Sequence, residues 1–138
     1  MKEKVKTELL RQFKDYIDLD FVEQIIDLNY SEIEKSDDNE EMNKELYIIT
    51  RLQYIIYLNI INRIKNDDID SEIYLNDKLK TVYLIYLRRK GLEPDERKYT
   101  KSIDNLIEHY DGYSSITSFF YKELANVYSN DLSKKKLL

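Results

Sequence analysis

Two glycines and one proline in 138 residues, where average usage gives roughly sixteen or seventeen of the two types together, leave this chain few ways to fold. Tight hairpins, dinucleotide crossovers and phosphate-cradling loops need glycine where φ is positive or where backbone must approach a ligand. A nucleotide-cradling or hairpin-rich fold is therefore excluded, and helices remain. The three residues also sit where helix punctuation needs them. Gly91 follows Arg88-Arg89-Lys90 and precedes Leu92, the pattern of a left-handed helix end with basic residues on the C-terminal dipole and an apolar contact just beyond. Gly112 closes the next apolar-periodic stretch. Pro94 is placed at the first position of that fifth helix, followed by Asp95 and Glu96.

Apolar spacing then predicts six helices. Val5, Leu9, Phe13, Tyr16 and Ile17 fall on one face of the first. The second opens on Asp20 and Glu23, spaced as a capping box, and its buried stripe is Val22, Ile25, Ile26, Tyr30 and Ile33. The polar run 36–41 breaks the chain, and a third helix is expected from about Glu40 to Lys65. Between Leu46 and Ile61, twelve of sixteen residues are apolar or tyrosine, so this helix has no wholly polar face and belongs at the centre. The fourth restarts at Asp70-Ser71-Glu72 and buries Ile73, Leu75, Leu79, Val82, Tyr83, Tyr86 and Leu87. The fifth buries Tyr99, Ile103, Leu106, Ile107 and Tyr110. The sixth, capped by Ser114 or Ser115, buries Ile116, Phe119, Phe120, Leu124, Val127 and Tyr128. These elements predict an all-α single domain over residues 1–131, a helical bundle or a globin-like crossed-helix sandwich, with a flexible tail over 132–138. At this length roughly 68% of the extended chain's surface can be buried, enough for a core without staples.

The same residue counts remove most chemistries. With no cysteine there is no disulfide, thiolate or structural zinc site, and one histidine, His109, cannot supply a two-imidazole site. His109 lies between Glu108 and Asp111 near a helix end, where a protonated imidazole interacts favourably with the dipole; a general-base role there is the alternative. Too little chain follows it for a haem globin. Asp68-Ile69-Asp70-Ser71-Glu72 has the carboxylate density of a calcium loop without its sixth-position glycine or twelfth-position glutamate. No Glu-x-x-His occurs for a di-iron bundle. The expectation is a chain that is not an enzyme and carries no cofactor.

Charge points to binding. The formal net charge of −5 is divided unevenly: residues 1–70 hold 10 basic and 17 acidic side chains and residues 71–138 hold 12 and 10. Between Asp15 and Glu45 twelve acids face only Lys35 and Lys44, a poor surface for phosphate and a good one for a basic protein. Asp20, Glu23, Asp27 and Glu34 are the candidate partner-binding residues. Thirteen tyrosines fit core rims or interfaces; with Arg51 at i+4 from Tyr47 and i−3 from Tyr54, these three could also line the polar end of an apolar pocket. The N-terminal stretch has no continuous apolar segment and is not read as a signal peptide, and the run 46–61 is too short to span a bilayer, so a cytoplasmic location is expected.

Two functions follow as expectations. The first is a small helical regulator or inhibitor that binds a protein with a basic surface, of the immunity-protein, antitoxin or phage- or plasmid-encoded modulator type, with no nucleic-acid or membrane partner. The second is a haem-free, globin-like sensor that encloses a fatty-acid-like ligand and modulates a signalling partner such as a histidine kinase. The apolar third helix leaves room for a homodimer.

Overall fold

The computed structural model describes residues 1–36 and 43–137, with side chains through residue 129. Helix α1 spans Lys2–Gln12, α2 Leu19–Lys35, α3 Lys44–Lys65, α4 Ile69–Lys90, α5 Glu96–His109 and α6 Ile116–Leu137, and no strand occurs among the described residues. The architecture is an all-α helical bundle. α1, α2 and α3 pack on one another, α4 and α6 pack together with α5 on α6, and α3 reaches across to α4 and α5.

The apolar interior accordingly falls into two linked clusters. Val5, Leu9, Val22, Ile26, Ile48, Leu52, Ile56 and Ile60 are fully buried in the first. Leu75, Leu79, Leu106, Phe120 and Leu124 centre the second, joined by Ile61 from α3. Tyr57 and Ile64, also on α3, touch both clusters, so the helix with no polar face is the one that two cores share. Each buried aliphatic side chain contributes about 1.5–3 kcal/mol relative to exposure. The apolar run of α3 is thus covered by four helices of its own chain.

Helix ends follow local chemistry, with several shifts from the sequence reading. The N-cap of α2 is Asp18, whose carboxylate accepts the Phe21 amide at 3.1 Å; Asp20 lies inside the first turn and Glu23 reaches α1, so the Asp20/Glu23 capping box does not form. Asn43 caps α3 through the Glu45 amide, and the expected start near Glu40 lies outside the described residues, as does most of the polar run before it. α4 begins at Ile69 with Asp68 as its N-cap, so Asp70, Ser71 and Glu72 lie inside the first turn, where Ser71 is buried. α5 begins at Glu96 with Asp95 capping the Arg97 and Lys98 amides; Pro94 therefore stands one residue before the cap. Ser115 Oγ accepts the Ser118 amide at 3.4 Å and caps α6. The backbone of α6 is helical through Leu137 and so runs through most of the 132–138 segment expected as a tail, while side chains from 130 onward and residue 138 are outside the described residues.

The left-handed positions are the most informative ends. Gly91 has φ 63°, and Leu92 donates to the Leu87 carbonyl at 2.9 Å while Gly91 donates to Arg88 at 3.4 Å, the two bonds of a Schellman motif. The α3–α4 turn uses the same motif without glycine. Asp67 takes φ 64°, with Asp68 donating to Arg63 and Asp67 to Ile64, each at 3.0 Å; aspartate is among the few residues that accept this region. In a chain so short of glycine, an acid does a glycine's work.

Two residues placed on buried faces by periodicity are exposed. Ile17 is 79% exposed because α1 stops at Gln12 and the following turn breaks the helical phase. Ile73 is 56% exposed while Tyr74 is buried: the α4 sequence is apolar on more than one face, and the Tyr74 ring is selected by Tyr16, at 4.9 Å between centroids, and Phe13, at 6.3 Å.

Candidate functional site

The acidic face singled out by sequence lies on α2. Its Asp20, Gln24, Asp27, Leu28, Ser31 and Glu32 are all exposed, spaced so that they follow one side of the helix. Glu23 and Asp27, one turn apart, are drawn together by α1: Lys6 Nζ lies 3.1 Å from both carboxylates, and Lys2 Nζ lies 3.3 Å from Asp27. The lysine ammonium of residue 6 holds the Asp27 carboxyl below its ordinary range, and the two acids in return hold Lys6 charged above its own. Half of the four-acid constellation is therefore engaged in joining α1 to α2. Asp20 and Glu34 stand at opposite ends of the helix, and Glu34 sits beside the Tyr30 hydroxyl, which burial first and this carboxylate second push up to about 12. At the middle of the face, between Asp27 and Glu32, stands Leu28, at 81% the most exposed large apolar side chain of the described residues. Sequence periodicity left it unremarked, since a lone leucine off the buried stripe carries no pattern of its own.

A second polar constellation ties the turns together. Arg63 Nη1 donates to Asp18 Oδ2 at 2.9 Å and to the Tyr16 hydroxyl at 3.4 Å, and lies 3.7 Å from Asp68. Its guanidinium is 3.5 Å from the Phe21 ring centroid, a stacked cation–π contact. Tyr16 OH and Ser71 Oγ are 2.8 Å apart, and Ser71 donates to Asp68 at 2.8 Å. Arg63 is the first reason that the Asp18 carboxyl stays below its ordinary range, and the Phe21 amide is the second. Burial works against the charge on Arg63, but Asp18 and Tyr16 outweigh it. The set has the residue types of a catalytic centre, yet Ser71 is fully buried and no substrate atom can reach its hydroxyl. Its role is to pin the α1–α2 turn onto the α3–α4 turn.

Tyr47, Arg51 and Tyr54 are half-buried on α3. Arg51 turns to the α5–α6 connection, donating to the Gly112 carbonyl at 3.5 Å, with its guanidinium 5.3 Å from the Tyr113 ring. His109 ends α5, is exposed, and lies 3.9 Å from the Glu108 carboxylate. Seven of the thirteen tyrosines are buried, which places most of the tyrosine surplus in the core and its rim. Around α5, Tyr83 OH accepts the Asp95 amide at 2.7 Å and meets the Tyr128 hydroxyl at 3.2 Å.

Among the described residues, no three His, Asp or Glu side chains gather as metal ligands would, and no helix is long and apolar enough to cross a membrane. No protein-family model, no curated protein and no solved structure matches the chain.

Proposed function

We propose that the protein is a non-catalytic, cytoplasmic regulator or inhibitor that works by binding another protein through the exposed face of α2. The observation that carries this reading is Leu28, 81% exposed on a helix face otherwise made of Asp20, Asp27, Glu32 and small polar residues. Acids around a single apolar anchor match the general pattern of interfaces in which charge steers encounter and one desolvated side chain holds the complex. A partner with a basic rim around an apolar pocket fits this face. Because Glu23 and Asp27 also hold α1, the informative substitutions avoid them. Tagged protein used for capture from its native host should retain a discrete partner that Leu28→Ser and Asp20→Lys/Glu32→Lys release, the charge reversal also flattening the dependence of capture on salt. Capture unchanged by both variants would overturn the assignment to α2.

A further inference from the structure

A different surface, the outward face of α4, carries exposed apolar side chains at both ends. Four of the large apolar side chains most open to solvent lie on this helix: Ile69 at 68%, Ile73 at 56%, Leu84 at 54% and Ile85 at 43%. They form two pairs, one near each end of a 22-residue helix about 33 Å long. The exposed charges beside them are segregated by sign. Asp70, Glu72 and Asp77 accompany the first pair, whereas Lys80, Arg88 and Arg89 accompany the second.

Turned end for end about its midpoint, level with Leu79, the face complements itself. Asp70 comes opposite Arg88 and Ile73 opposite Ile85, beside Leu84, while Asp77 and Lys80 lie one position off register from each other, and every match occurs twice because a two-fold axis makes it reciprocal. A parallel pairing would set acid on acid and base on base. The helix is also flanked by open grooves that can receive a partner's side chains. One of about 640 Å³ runs beside Ile73 and is lined on its far wall by Ile17 and Asp15; one of about 500 Å³ runs beside Leu84 and reaches Pro94 and Tyr99.

We propose that the occupant of this face is a second copy of the chain, docked through α4 in an antiparallel two-fold dimer. The Leu84 and Ile85 pair of one copy then lies over the Ile17 and Ile73 groove of the other, with Arg88 reaching Asp70. Apolar side chains this open to solvent, set among charges that match their own copy, are of the kind interfaces use. The inference stands apart from the α2 reading, since α2 packs on α1 and α3 whereas α4 packs on α3 and α6. The dimer would leave two α2 faces displayed and give a multivalent partner an avidity gain.

The test is sedimentation equilibrium on wild type, Asp70→Lys, Arg88→Glu and an equimolar mixture of the two variants, with far-UV circular dichroism on each. Wild type should show twice the 16.7 kDa chain mass at micromolar concentration. Each variant alone sets like charges against each other at two places and should dimerise at least about tenfold more weakly. In the mixture both pairs become opposite again, and the dimer should return. A wild type that stays at the chain mass up to about 100 μM, a range that covers micromolar-class association, overturns the proposal. So does a dimer indifferent to both variants, or a mixture that fails to recover.

Discussion

Asp18 and Arg63 are 2.9 Å apart across the α2–α3 boundary, and the same aspartate caps α2 through the Phe21 amide. One carboxylate therefore satisfies an orphan helix donor with one oxygen and holds a guanidinium with the other. Asp18→Ala should cost about 1–3 kcal/mol, the sum of a lost cap and a weakened, partly exposed ion pair. Asp18→Asn keeps a capping oxygen and should cost less than half of that. Urea denaturation of the three proteins checks the order, and equal losses for Ala and Asn would assign the effect to the ion pair alone.

Stability should depend on pH at both extremes. Asp18 and Asp27 titrate lower in the folded protein than their ordinary values, so the unfolded chain binds more protons as pH falls through about 4. Their contribution is present above that range and is lost on acidification. Lys6 and Tyr30 titrate higher than their ordinary values, Tyr30 at about 12, so their contribution is present below about pH 10 and is lost as pH rises. The thermal midpoint should form a plateau between roughly pH 5 and 9, and Asp18→Asn with Asp27→Asn should blunt the acid limb. A midpoint unchanged from pH 6 to pH 3 would contradict this.

The three left-handed residues should respond differently to substitution. A Cβ at Gly91 meets nothing within 4 Å, whereas one at Gly112 comes 3.0 Å from Leu58 Cδ2. Both carry positive φ, so Gly91→Ala should cost about 1 kcal/mol from backbone strain alone. Gly112→Ala adds a collision with α3 and should cost roughly twice as much. Asp67→Gly, which relieves a left-handed aspartate, should stabilise by up to about 1 kcal/mol. Chemical denaturation reads all three, and a Gly112 variant no worse than the Gly91 variant would show that Leu58 yields freely.

What was legible in the sequence was whatever one helix decides by itself. The buried stripe of α2, the central place of α3 and the Gly91–Leu92 helix end are all as local spacing and chemistry require. What was not legible depends on a second element. Whether Asp18 or Asp20 caps α2 is settled by Arg63, 45 residues away in sequence. That Glu23 and Asp27 are engaged, and so cannot count fully toward an acidic docking face, is settled by Lys2 and Lys6. Ile73 and Tyr74 compete for one buried direction on a helix apolar on several sides, and the aromatic pocket formed by Phe13 and Tyr16 decides it. The division of α4 into an acidic and a basic half was written in the chain, but it becomes informative only once the outward side of that helix is known.

Two tyrosine hydroxyls in neighbouring positions should behave in opposite ways. Tyr16 OH is bonded to Ser71 at 2.8 Å and to Arg63 at 3.4 Å, and Ser71 is fully buried. Tyr16→Phe removes one of the two partners of a buried serine and one of the acceptors of Arg63, so it should cost about 1–2 kcal/mol. The Tyr74 hydroxyl is buried with no partner at hydrogen-bonding geometry among the described residues. Burial is also the first reason that its ionisation is suppressed. Tyr74→Phe keeps the ring packed against Tyr16 and Phe13 while removing a desolvated group, and it should be neutral or stabilise by up to about 1 kcal/mol. Urea midpoints for the two variants separate these outcomes. If Tyr74→Phe costs as much as Tyr16→Phe, the Tyr74 hydroxyl has a bonding partner in solution. Tyr57, whose own hydroxyl is held neutral first by burial, is then the side chain to substitute next.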